Sequence, residues 1–378
     1  MDLTVYWDLN FYASINGSTD RTFKALWTDA SFNVDGEGLV SATGAVPVIV
    51  VDPVISGSVI LGEMLTTTNG VWSNSPSSYS YQWQRDGIDI SGATSSNYTV
   101  VGDDVRAEIT CDVVATNGSG SSTPATSNTL TNPLKGIFDI AANAKIFVYD
   151  QGLTDSVGSP VSAWTAIDDS CDLTQATSSK RPLRQSDGIQ FDGIDDMLIG
   201  DSTATAFVNS DFTAFHGVSN VPTSNNTRQL WGAYADGIST IVRNCTHVNF
   251  SMGTSASLTR MRFLTADSSV AVQVALTSFY DGSGTSTYRF IARTEAPGLG
   301  DSETLTMADP PVLLDSAARP GTMTPQDICA VGAQRLTSAT AGASFWKGKI
   351  QFLVFIDEAL SDVNMDAVRD ILDAAGYV

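Results

Sequence analysis

The chain has 378 residues, enough for two or three domains that each bury a core, so its stability need not rest on disulfides. Charged residues make up 16% of it while Gly, Ser, Thr, Asn and Asp abound, a profile of short strands and tight turns that favours an all-β fold over a helical one. A formal net charge of −21 repels phosphate backbones and anionic lipid, which excludes nucleic acid as a partner, although plain solubility accounts for the same charge. Glutamate occurs at Glu37, Glu63, Glu108, Glu295, Glu303 and Glu358, so most of the acidity is aspartate, which suits turns and Ca²⁺ shells.

The N-terminus, Met1 to Asp8, carries an acid where a leader peptide needs a basic stretch, and it lacks an apolar core. No stretch approaches the roughly 20 apolar residues of a bilayer span, so membrane insertion is not expected. Leu3, Val5 and Trp7 alternate with polar neighbours, and Phe11-Tyr12-Ala13 and Thr22 to Trp27 give two more strand-like runs around Asn16-Gly17-Ser18-Thr19. Residues 1–50 thus read as a small β segment that docks on a partner, or equally as an extension packed on the chain's own next domain.

Val46-Pro47-Val48-Ile49-Val50-Val51-Asp52-Pro53 turns from linker into strand. In the next segment Tyr81 and Trp83 alternate with Gln82 and Gln84, as a half-buried strand requires, and Asp86-Gly87 is a strong hairpin turn. Gly57, Gly62, Leu65, Gly70 and Trp72 precede this run. Gly92-Ala93, Tyr98, Ile109-Thr110-Cys111-Asp112-Val113 and Asn117-Gly118-Ser119-Gly120 follow it. With these residues the segment 51–132 resembles bacterial and phage immunoglobulin-like domains, which implies a β-sandwich with Trp83 buried on its third strand. Cys111 falls where that family places its second cysteine, but no partner precedes it, so the family's disulfide does not carry over.

Asn132-Pro133-Leu134-Lys135-Gly136 marks a boundary. From 137 to 378 three motifs stand out. They are Val161-Ser162-Ala163-Trp164; Ile189-Gln190-Phe191-Asp192-Gly193-Ile194-Asp195-Asp196; and Trp346 to Phe355 with Ile356-Asp357-Glu358-Ala359-Leu360-Ser361. They resemble the LamG-type concanavalin A-like jelly rolls of phage and bacterial surface proteins, which implies a second, larger sandwich. Alternating runs at Val270–Leu276 and Tyr288–Ala292 read as its strands. Ser361 to Ala375 reads as one C-terminal helix: Ser361 caps it, Val363, Ala367, Val368, Ile371, Leu372 and Ala375 form its apolar stripe, and Gly376 ends it.

The cysteines Cys111, Cys171, Cys245 and Cys329 show no zinc or redox spacing; Cys171 and Cys245 are candidates for a pair, with lone buried thiols the alternative. His216 and His247 sit in no metal motif, and no nucleophile elbow or phosphate loop occurs. The concanavalin A-like resemblance brings in glycosidases, but their E-x-D-x-x-E strand is missing, so no catalytic residue is assigned and the chain is expected not to be an enzyme. Two acidic clusters offer hard oxygen ligands to Ca²⁺: Asp168, Asp169 and Asp172 in one loop, and Asp192, Asp195 and Asp196 in another. The plain alternative is that Asp192-Gly193 makes a turn and Asp195 caps amides. Trp231, Tyr234 and Asp236 lie around Gly232 and Gly237, where a loop would present an aromatic platform and an acceptor to a sugar; core packing is the alternative for Trp231.

The resemblances together imply a tailed-phage virion surface protein, assembled in the host cytoplasm as a capsid decoration, head fibre or tail fibre. Residues 1–50 would fasten it to other virion proteins, the immunoglobulin-like spacer would project the head, and the head would meet host cell-surface glycan. Self-association stays open. A secreted bacterial adhesin and a polysaccharide depolymerase are the alternatives.

Overall fold

A computed structural model describes residues 31–34, 40–200, 212–219, 228–234, 245–252, 259–263, 288–294, 301–306, 313–318, 328–338, 341–343 and 345–378. The strand-like runs expected before residue 31, and that at 270–276, lie outside them. Among the described residues the fold is all-β with two α-helices, neither long and apolar enough to cross a membrane. It divides into two compact units.

One unit draws on Met1–Asp52, Gly70–Tyr79 and Val114–Ala125. It contains the antiparallel pairs Ser31–Val34 with Val40–Thr43 and Ile49–Val51 with Val71–Trp72. The Asn117 side-chain amide donates to the carbonyls of Ala45 (2.9 Å) and Asn74 (2.8 Å), tying three separate segments. This accounts for the asparagine in the Asn117-Gly118 turn motif.

The other unit comprises Pro53–Asn69, Ser80–Val113 and Thr126–Val378. Its immunoglobulin-like part sets Ile55–Ser56, Met64–Thr67 and Asn97–Thr99 in one sheet, while Ser78–Arg85 belongs to a second sheet with Ile88–Asp89. Alternation along Ser78–Arg85 carries Trp83 into the core, fully buried, where its indole N–H donates to the Ser95 carbonyl (2.8 Å) and its ring stacks on Tyr98 (5.5 Å). Asp86 (φ 48°) and Gly87 (φ 76°) are both left-handed, the signature of the tight hairpin turn their sequence announces. The desolvation cost of burying Asp104 is offset by the donors that surround it: Arg85 Nε (2.8 Å), Tyr98 Oη (2.6 Å) and the Val101 amide (2.8 Å).

The head is a two-sheet antiparallel sandwich. Its eight-stranded sheet centres on the long strand Lys347–Ile356, flanked on one side by Thr213–Ser219 and on the other by Gly188–Asp192 and Lys145–Val148. The seven-stranded sheet runs in the order Ala163–Thr165, Asp172–Thr174, Leu198–Gly200, Ile328–Val331, Arg228–Tyr234, Cys245–Met252, Thr259–Phe263. Phe147, Trp164, Phe191, Phe212, Trp346 and Phe355 fill the space between the sheets, and burial of such large side chains is the main source of stability here.

The C-terminal helix spans Asp362–Ala374, with the Ser361 hydroxyl accepting from the Asn364 amide (3.3 Å). Its buried stripe differs from expectation: Met365, Val368, Arg369 and Leu372 face inward while Val363 is 76% exposed. At 100° per residue Val363 lies on the side of the helix opposite these four. Arg369 is buried because Asp366 and Asp370 pair with its guanidinium at 2.8 Å each. A second, short helix, Lys135–Ile140, occupies the segment expected to be a plain boundary.

Candidate functional site

The motif Phe191-Asp192-Gly193-Ile194-Asp195-Asp196 forms a turn at the end of strand Gly188–Asp192, with Gly193 at φ 77°. Asp192 Oδ1 accepts from the amides of Ile194 (2.7 Å) and Asp195 (3.3 Å), and Asp196 Oδ2 accepts from the Asp192 amide (2.8 Å). The turn reading of these aspartates therefore holds, with Asp192 rather than Asp195 as the capping side chain. The same backbone path brings one carboxylate oxygen from each of Asp192, Asp195 and Asp196 to within 4.8 Å of one another. Burial of Asp196 raises its pKa to about 7, aided by the neighbouring Asp192 and Asp195 charges and opposed by the Asp192 amide hydrogen bond. Three converging hard oxygens fit a Ca²⁺ ion by donor type and spacing, since ions at about 2.3–2.6 Å from each oxygen accept ligands this close together. The remaining donors would have to be carbonyls or water.

The turn leads from the eight-stranded sheet into strand Leu198–Gly200 of the seven-stranded one. Leu198, two residues after Asp196, opposes Val331; Val331 opposes Trp231; Trp231 opposes Val248. Two strand spacings, about 10 Å, thus separate the backbone at Leu198 from that at Trp231. Gly332 closes the gap between turn and sheet: at φ 84°, a Cβ there would run into the Phe191 ring and approach the Asp196 carbonyl to 3.1 Å. Nothing in the local sequence singles out Gly332. Trp231 and Tyr234 belong to the strand Arg228–Tyr234, not to a loop, with Tyr234 opposite Ile328, and Asp236 lies outside the described residues.

The other acidic cluster is not brought together in this way. Asp168 forms an ion pair with Arg106 and accepts from the Ser170 hydroxyl (2.6 Å). Asp169 takes a left-handed backbone conformation (φ 58°), and Asp172 is an exposed position opposite Thr165 at the start of its strand. His216 is a fully buried residue edge-on to Phe355, and His247 lies on Cys245–Met252. Cys171 and the strand starting at Cys245 stand about four strand spacings apart in the sheet, near 19 Å, beyond the reach of a disulfide. Cys111 and Cys329 are buried thiols, their pKa values pushed up to about 11 and about 12 by burial.

The class defined by these observations is an all-β chain with a double-sheet sandwich and an acidic turn that joins strand Gly188–Asp192 of one sheet to strand Leu198–Gly200 of the other. No protein-family model matches the chain, and no curated protein does. Among solved structures it is similar to Trypanosoma rangeli sialidase in complex with sialic acid, at 11% identity and TM-score 0.44, over 70% of this chain and 43% of that one. Another structure of Trypanosoma rangeli sialidase gives 12% identity and TM-score 0.42 over 82% and 51%. The CBM40 module of Ruminococcus gnavus IT-sialidase gives 13% identity and TM-score 0.37 over 49% and 97%. The chain thus spans about half or less of the sialidases' own length. The expectation that the chain is not an enzyme is corrected on this finding, because glycosidases stand among the structures it is similar to. No residue role transfers at such identities.

Proposed function

We propose that the chain is a carbohydrate-binding surface protein whose head meets a glycan at the acidic turn that follows strand Gly188–Asp192. The observation that carries this reading is the acidic turn itself, which brings one carboxylate oxygen from each of Asp192, Asp195 and Asp196 to within 4.8 Å of one another. Asp192, Asp195 and Asp196 would hold Ca²⁺, and the ion would fix the turn and offer open coordination positions to sugar hydroxyls. Display on a virion, fastened through residues 1–50 to other particle proteins, is part of the proposal and rests on the phage-type motif around Trp83.

Calorimetric titration of the full chain with host polysaccharide, and with sialyllactose and a neutral oligosaccharide beside it, tests the site. Saturable binding that falls at least tenfold in Asp195→Ala, and likewise on chelation of Ca²⁺, is the expected result. A flat titration with all three ligands would sink the proposal. Release of reducing ends, followed in the same samples, distinguishes binding alone from binding with cleavage. Gold-labelled antibody on purified particles tests the display, and absence of label from head and tail alike would remove it.

A further inference from the structure

We infer that the immunoglobulin-like residues 53–69, 80–113 and 126–132 and the head are locked into one stiff body that folds cooperatively, through a joint made by Arg106, Asn132 and Gly102. Residues 53–69, 80–113 and 126–132 of the immunoglobulin-like part belong to the same compact unit as the head, and three contacts join them to it. First, the turn Gly102–Arg106 presents Arg106 to the head, where its guanidinium pairs with the Asp168 carboxylate, donates to the Ala142 carbonyl (2.7 Å) and lies 4.5 Å over the Phe138 ring. The Asp168 side chain is 1% exposed, so its charge is removed from water and depends on this partner.

Second, Gly102 packs directly on the backbone at Asp168, and a Cβ at this position would run into the Asp168 carbonyl. The requirement for glycine here comes from close approach between two parts of the chain, not from backbone conformation. Third, the buried Asn132 side chain donates to the Val59 carbonyl (2.6 Å) on one side and to Gln151 Oε1 (3.1 Å) on the other. Gln151 in turn donates to Tyr377 Oη (3.3 Å), which donates to Asp150 (2.5 Å), so the polar network runs from the immunoglobulin-like part to the C-terminus. A buried network with every member satisfied rigidifies what it joins. A flexible spacer would have a hydrated linker in place of these contacts.

Hydrogen exchange of the full chain across a urea series tests the lock. Peptides from 80–113 and from 347–356 are expected to lose protection at the same urea midpoint, and Arg106→Ala combined with Gly102→Val should split that midpoint in two. Separate midpoints in the unaltered chain, or a common midpoint in the double variant, would overturn the inference. If the variant does not accumulate, trypsin decides on the unaltered chain. Resistance at Lys135 under native conditions supports the lock, and a cut at Lys135 that leaves two stable, separable products contradicts it.

Discussion

Asp196 shows how one buried residue sets a pH dependence. Its carboxyl titrates near pH 7 in the fold and near 3.8 when unfolded, so between those values the folded state holds the extra proton. Stability contributed by the neutral acid is therefore fully present below about pH 4 and is lost as pH rises toward and through 7. Asp196→Asn is expected to flatten this slope in thermal melts taken from pH 5 to 8, and an unchanged slope would refute the assignment. Added Ca²⁺ should raise the melting temperature more at pH 8 than at pH 5, because the ion requires the ionised carboxylate. Trp83→Ala removes a fully buried indole with its hydrogen bond and should cost about 3–5 kcal/mol by urea unfolding. At this scale Trp83 and the acidic turn were legible, the first from two-residue alternation and the second from Asp-Gly chemistry. Arg106 was not, since its partner lies 62 residues away and no local pattern connects them.

Among the elements, those with a strong local signature appear where the sequence puts them. Asp86-Gly87 makes its hairpin, and Gly87→Val should cost about 1–3 kcal/mol by urea unfolding, a backbone effect alone because nothing lies within 4 Å of the added Cβ. A cost below about 0.5 kcal/mol would show that the turn tolerates another conformation. Ser361 caps the C-terminal helix as its type and position imply. The helix Lys135–Ile140 escaped notice because six residues carry no readable 3.6-residue period and Gly136 argues against a helix. Its reason lies outside the segment: a Cβ at Gly136 would press on Ile371 of the C-terminal helix at 2.8 Å, so helix packing selects the glycine. The strand position of Trp231 was likewise hidden, because the flanking glycines Gly232 and Gly237 read as a loop while cross-strand pairing with Ile328–Val331 decides the outcome.

For the whole molecule, two successive β architectures were readable because composition and motif both favour them, whereas their joint is a product of long-range contacts between Gly102–Arg106 and the loop at Asp168. An array of host-derived glycans probed with the intact chain, in Ca²⁺ and again after chelation, tests the central claim most directly. Saturable binding to a defined set of glycans that disappears on chelation is the predicted result, and uniform absence of binding in both conditions would contradict the account.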